Sequence, residues 1–207
     1  MLVIAGLLFG LIAENVMRAG ALTVLDIHIA QWLHAHGSPG LTQCLLIVTH
    51  LHDPLVISPV AALITVILFW KKRWCAGLAV IFAVQGGMLL NLLVKQQFHR
   101  ARPSFENPLV TLTTYSFPSG HVVASTVFYG ALAALLISRT RSPGRTFYFF
   151  MMALAMIVLV AFSRLYLGAH YLSDVLAAFL EAVAWLALCF TVIQSYRVIT
   201  KNASPQS

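Results

Sequence analysis

Apolar runs of membrane-spanning length recur along this chain, and nearly every polar group is confined to the breaks between them. A helix needs about 20 consecutive apolar residues to cross a hydrocarbon core about 30 Å thick. Six segments approach that length, at about 1–19, 54–70, 74–95, 118–138, 146–166 and 171–195. The expected fold is therefore an all-α integral membrane protein, a six-transmembrane-helix bundle forming one membrane-embedded domain over 1–207. Residues 22–52 read as two shorter helices broken at Gly37-Ser38-Pro39-Gly40. Leu22, Leu25, Ile29, Trp32 and Leu33 follow helical spacing, with Asp26, His28 and His34 opposite. That pattern suits interfacial helices between the first and second spans, with a re-entrant hairpin as the alternative.

Composition excludes a soluble globule. Only 9% of the 207 residues are charged and 60% are hydrophobic, whereas soluble domains carry roughly 25% charged residues. The net charge of +7 raises the question of a polyanionic partner. Its placement answers it. Lys71-Lys72-Arg73, then Arg139, Arg141 and Arg145, then Arg197 and Lys201 flank apolar runs, while all six acids lie elsewhere. This is the positive-inside pattern, so the charge reports topology, and no nucleic-acid partner is expected. Both termini and the basic loops are then cytoplasmic, and the ends near 95–118 and 164–171 face outward. Cys44, Cys75 and Cys189 are too scattered for a disulfide framework or a zinc site. The stretch from Leu2 to Ala13 lacks the basic start of a cleavable signal peptide.

Three polar clusters are thereby brought to one face, although they span positions 95 to 174. They are Lys95 with Arg102-Pro103, Pro118-Ser119-Gly120-His121, and Ser163-Arg164 with His170 and Asp174. Ionisable groups in or beside apolar spans are costly and seldom idle. Lys95, Arg102 and Arg164, with Arg100 as a fourth, supply the several cations that a phosphate ester requires. At Pro118 a helix can begin, leaving the amides of Ser119, Gly120 and His121 free to face an anion. The ordinary reading of that turn is a capped helix start. His170 and Asp174 are four apart and share a helix face. A carboxylate bonded to one ring nitrogen fixes the tautomer and frees the other as nucleophile or base. A structural pair and a metal-binding pair are the alternatives. A metal is disfavoured by the crowd of cations and the lack of further acids, so no metal or cofactor is expected.

The order and spacing of these residues resemble the type-2 phosphatidic acid phosphatase superfamily. Its pattern is Lys, six residues, Arg-Pro; then Pro-Ser-Gly-His; then Ser-Arg, five residues, His, three residues, Asp. Lys95…Arg102-Pro103, Pro118-Ser119-Gly120-His121 and Ser163-Arg164…His170…Asp174 fit at every position. The resemblance implies a metal-independent, two-step hydrolysis. His170 attacks phosphorus and Asp174 orients it; His121 protonates the leaving group and then activates water. Lys95, Arg102, Ser119, the Gly120 amide and Arg164 hold the phosphate oxygens. Expected substrates are a membrane phospholipid such as phosphatidate or phosphatidylglycerophosphate, or a polyprenyl pyrophosphate such as undecaprenyl pyrophosphate. The expected location is a bacterial inner membrane with the site facing outward. A phosphotransferase using a polyprenyl pyrophosphate donor and a non-catalytic headgroup binder or transporter are the competing functions. Oligomeric state stays open.

Other polar residues have milder readings. Glu181, two turns beyond Asp174, reads as a carboxyl bonded to another helix at Gln85 or Asn91. Gln85-Gly86-Gly87 reads as a close helix contact. His50, His52 and Asp53 either border the pocket or mark a polar helix break. Phe105, Tyr115 and Phe117 line a lipid entrance or anchor the 96–117 loop at the interface.

Overall fold

A computed structural model describes residues 1–203, with side chains described for 1–195. The last residues of the polar segment 201–207 lie outside that range. Helices account for the regular structure among the described residues. They are α1 (Leu2–Met17), α2 (Ala21–Ala35), α3 (Pro39–Leu51), α4 (Pro54–Trp70), α5 (Trp74–Ile81), α6 (Gly87–Phe98), α7 (Gly120–Ile137), α8 (Pro143–Tyr166) and α9 (Leu172–Ala203). A single π-helical turn, Phe82–Gly86, joins α5 to α6 into one span over Trp74–Phe98.

Among the described residues, four helical segments are long and apolar enough to cross a bilayer alone, and two bent pairs bring the number to as many as six. The expected first and second spans are the shorter ones. At 16 residues α1 rises about 24 Å, short of the hydrocarbon core. It turns by 80° into α2, and α3 turns by 45° into α4. Both breaks have local causes. Arg18–Gly20 separates the first pair, with Ala19 in the left-handed region at φ 50°. In the second, Asp53 caps α4 through a 2.8 Å bond from the Leu55 amide, and Pro54 opens the helix.

The bundle is packed from small side chains and faces outward with large ones. Ala61, Ala83, Ala124, Ala177, Ala178 and Ala182 are fully buried, while Leu63, Val66, Leu89, Leu92 and Val158 are exposed. Lipid tails are as apolar as leucine, so close backbone approach and van der Waals contact, rather than hydrophobic exclusion, hold such helices together. α7 lies at the centre, against α8, α9 and the α5–α6 span.

The π turn shows how one contact is made. It leaves backbone carbonyls without their usual helical partners, and the Trp185 indole of α9 donates to Phe82 O and Ala83 O at 3.2 and 3.0 Å. Gly87 makes room for this: a Cβ there would lie 2.8 Å from Val127 Cγ1 and 3.1 Å from Trp185 Cδ1. Gly87→Val therefore overpacks the α6–α7–α9 junction and should cost about 1–3 kcal/mol. The check is a lowered thermal midpoint in detergent; an unchanged midpoint would show that the helices separate freely there.

Because the spans alternate in direction, the end of α6, the start of α7, the end of α8 and the start of α9 converge at one end of the bundle. The basic segments 71–73 and 139–145 lie at the other.

Candidate active site

Asp174 accepts three hydrogen bonds at that end. It is fully buried in the first turn of α9. Oδ1 accepts from Arg100 at 2.6 Å, and Oδ2 accepts from the Ser116 hydroxyl and, at 2.8 Å, from the Tyr171 amide. His170 lies beside it, 2% exposed, with Nδ1 3.6 Å from Oδ2. That is an ion-pair distance and too long for a hydrogen bond, so the expected imidazole–carboxylate bond is not closed. Ser116 and the Tyr171 amide occupy the oxygen that would make it. The other ring nitrogen, Nε2, faces Arg102 Nη1 at 3.2 Å.

Arg102 reaches the site through a loop it helps to fold. Its guanidinium donates to Ala169 O (2.6 Å), Thr114 O (2.7 Å), the Thr114 hydroxyl (2.9 Å) and Tyr115 O (3.2 Å). The 99–119 loop and the α8–α9 turn are thereby clamped around His170. The turn itself depends on Gly168 at φ 65°, a conformation glycine adopts without strain. Phe105 covers Gly168, stacks on His34 of α2 at 4.1 Å between ring centroids, and helps to wall a cleft of about 200 Å³ beside Arg102. Larger clefts, lined by residues of α5, α7 and α9 or by residues between 137 and 150, lie away from this chemistry.

The second cluster departs from its expected form in two ways. Helix α7 begins at Gly120 with Ser119 as N-cap, so Pro118 precedes the cap instead of opening the helix. The Ser119 amide is already taken, donating to Asp174 O at 3.1 Å. The hydroxyl of Ser119 is buried with no partner. Gly120 permits a close approach: a Cβ there would lie 3.3 Å from Asn91 Oδ1 and 3.8 Å from Lys95 Nζ. His121 follows, with Nε2 3.5 Å from Asp53 Oδ2. Lys95, Arg102, Arg164 and His170 all act on His121 through space.

Arg164, at the end of α8, is 2% exposed. One nitrogen bonds the Thr49 hydroxyl of α3, and Nε has no partner. Ser163 bonds back to Val160 O at 2.7 Å within its own helix and serves structure.

The unpartnered buried atoms define what the site lacks. Buried polar atoms are nearly always bonded, yet Ser119 Oγ, Arg164 Nε and His170 Nδ1 are not. Two of the three belong to residues expected to hold phosphate. With Lys95 and Arg102, the Ser119 hydroxyl and Arg164 Nε are donors that fit an anion's acceptor oxygens, whereas His170 Nδ1 faces Asp174. Among the described residues no His, Cys, Asp or Glu cluster has the makings of a metal site.

Arg100 is the main correction to the sequence reading. It is not a free fourth cation. It bonds Asp174 and Ser173 (2.7 Å) through one nitrogen and Asp26 (2.8 Å) through another, and lies 4.4 Å above the Tyr171 ring. Asp26 is likewise not on a solvated face: it is 2% exposed and accepts from the Ser173 amide and hydroxyl at 2.9 and 2.5 Å. Burial opposes the Arg100 charge, but Asp174 and Asp26 outweigh it and hold its pKa above the ordinary value. His52 is bonded to Val48 O (2.7 Å) and the Tyr129 hydroxyl (2.6 Å) and marks the helix break, whereas Asp53 does border the site. Deeper in the bundle Glu181 accepts from Asn91 at 3.1 Å, while Gln85 bonds Ser58 instead.

Burial lowers the His170 pKa from 6.5 to about 3, against the opposing pull of Asp174. The unfolded chain therefore takes up this proton below about 6.5 and the folded chain only below about 3. Between those limits acid favours unfolding, and stability falls as pH drops. His170→Gln removes the titration and should flatten the decline in thermal midpoint between about pH 7 and pH 4. Equal slopes in the two proteins would mean that His170 is charged in the fold.

The fold and site together define a helical membrane protein that gathers cations and two histidines at one end of its bundle. The chain belongs to the PAP2 superfamily, whose family model matches residues 72–197. It is 30% identical to phosphatidylglycerophosphatase B of Bacillus subtilis (strain 168) over 173 residues, covering 83% of this chain and 85% of that one. It is 31% identical over 148 residues to an undecaprenyl-diphosphatase of Sulfolobus acidocaldarius, covering 69% of this chain and 66% of the relative. The crystal structure of a transmembrane PAP2-type phosphatidylglycerolphosphate phosphatase from Bacillus subtilis superposes with a TM-score of 0.81 at 26% identity, covering 100% of this chain and 98% of that one. Aquifex aeolicus LpxE shares the fold, with a TM-score of 0.62 at 20% identity over 81% of this chain and 95% of that one.

Proposed function

We propose that this multi-pass membrane phosphatase hydrolyses a lipid phosphate or pyrophosphate through a phosphohistidine intermediate, without a metal. Phosphatidate, phosphatidylglycerophosphate and undecaprenyl pyrophosphate are the substrate types, in keeping with the names its relatives carry. The observation that carries the reading is that the buried, unpartnered Ser119 Oγ and Arg164 Nε are gathered with His170, whose Nε2 faces Arg102, from three separate sequence clusters.

Neutral His170 attacks phosphorus through Nε2, the nitrogen beside Arg102. Asp174 stabilises the imidazolium that forms. His121 donates a proton to the departing oxygen and then takes one from the water that cleaves the phosphorus–nitrogen bond. Lys95, Arg102, Arg164, the Ser119 hydroxyl and the Gly120 amide take the charge that spreads over the phosphoryl oxygens. The positive-inside pattern of the basic segments supports a cytoplasmic opposite end, and hence a site that faces outward from a bacterial inner membrane.

The test is phosphate release in detergent with a chelator present, comparing the three lipids. Chelator-resistant release supports the reading and the relative rates name the substrate. A folded protein that releases phosphate from none of them would sink it.

A further inference from the structure

We infer that Asp26 and Arg100, which lie outside the phosphate site, form a charge-balanced brace that positions Asp174 behind His170. The inference rests on the phosphatase reading and adds to it the reason why α2 is attached to the active site.

The three groups form a chain. Arg100 Nη1 bonds Asp174 Oδ1 at 2.6 Å and Arg100 Nη2 bonds Asp26 Oδ2 at 2.8 Å. Ser173 bridges the same members, donating from its amide and hydroxyl to Asp26 and accepting from Arg100 at 2.7 Å. Asp26 thus also satisfies an amide at the start of α9, which has no acceptor within its own helix. All are removed from water: side-chain exposure is 11% for Arg100, 2% for Asp26 and 0% for Asp174.

Geometry assigns positioning rather than phosphate binding. Two Arg100 nitrogens are committed to carboxylates, and the face of its guanidinium lies over Tyr171. By holding Oδ1, Arg100 leaves Oδ2 toward His170 Nδ1. The charges that face Asp174 are Arg100, His170, Lys95 and Arg102, with Asp26 beyond Arg100 and Tyr171 alongside. Deleting Arg100 alone leaves Asp26 and Asp174 buried, with the cation that bonds both of them gone. Two such carboxylates cannot both stay ionised readily, and one takes up a proton. A protonated Asp174 no longer supports the imidazolium. Deleting Asp26 together with Arg100 removes one charge of each sign and relieves that conflict.

Four proteins decide the matter: wild type, Arg100→Gln, Arg100→Lys and the double variant Arg100→Gln with Asp26→Asn. The readouts are kcat, KM, the pH profile and inhibition by inorganic phosphate, with thermal midpoints to confirm folding. Arg100→Gln should lower kcat about 10–100-fold, the range seen when outer partners of metal-ligating histidines are removed. KM and phosphate inhibition should move by less than about threefold, and the acid limb of kcat should shift to higher pH. Arg100→Lys should recover part of the loss, and the double variant should be faster than Arg100→Gln alone. A rise in KM and weaker phosphate inhibition at unchanged kcat would make Arg100 a phosphate ligand and overturn the brace. So would an unshifted pH profile, or a double variant slower than the single one. An inactive wild type would sink the phosphatase reading and this inference with it, whereas an active wild type with unresponsive variants would sink the inference alone.

Discussion

Alanine at position 170 should reduce phosphate release by at least about 10⁴-fold while leaving the bundle folded, because the proposed nucleophile itself is lost. No other group at the site can replace it. His121 is the other imidazole of the three clusters, and its Nε2 lies 3.5 Å from Asp53 Oδ2. Lys95, Arg102 and Arg164 are cations, and in the proposed mechanism they bind the phosphate. The loss should appear in kcat, since the phosphate ligands are untouched, and phosphate inhibition should persist. Asp174→Asn should cost less, because His170 remains, but it leaves Arg100, Ser116 and the Tyr171 amide donating to a neutral side chain. A His170→Ala protein that keeps more than a hundredth of wild-type kcat would remove the phosphohistidine from the mechanism.

The convergence of the three clusters was legible because each lies at the end of an apolar run. Runs that alternate in direction bring such ends together whatever their separation in sequence. Lys95 at the end of α6 and Arg164 at the end of α8 meet the starts of α7 and α9 for that reason alone. What surrounds them was not legible. Asp26 sits on α2 four residues after Leu22 and three before Ile29, at the edge of the apolar stripe, and spacing alone does not say whether that edge meets water or protein. The structure turns it onto Ser173 and Arg100. Thr49, which bonds Arg164, and Ser116, which bonds Asp174, carry no sequence signal, since a single hydroxyl near a helix end usually serves a turn or cap. For Arg100, charge type predicts an anionic partner but not which one, and its partners are the carboxylates of Asp26 and Asp174. The π turn at Phe82–Gly86 was equally hidden, because Trp185, about a hundred residues away, completes its bonding.

Alanine at position 121 should slow lipid hydrolysis about 10²- to 10⁴-fold, and the loss should depend on the leaving group. A lipid alcohol departs as a poor alkoxide and needs a proton as its bond to phosphorus breaks. His121 is placed to give it: 15% exposed at the first turn of α7, within reach of the same cations as His170. A nitrophenolate departs without that proton. With nitrophenyl phosphate, His121→Ala should therefore still transfer phosphoryl to His170 at a rate near that of wild type. The second step then fails, because no base activates water. The expected trace is a burst of one nitrophenolate per enzyme followed by slow turnover, with an acid-labile phosphoenzyme isolated from the burst. Adding His170→Ala to the same protein should abolish both the burst and the phosphoenzyme. Equal losses on lipid and nitrophenyl substrates, with no burst, would show that His121 binds the phosphate instead of moving protons, and would leave Asp53 as the acidic group nearest the leaving oxygen.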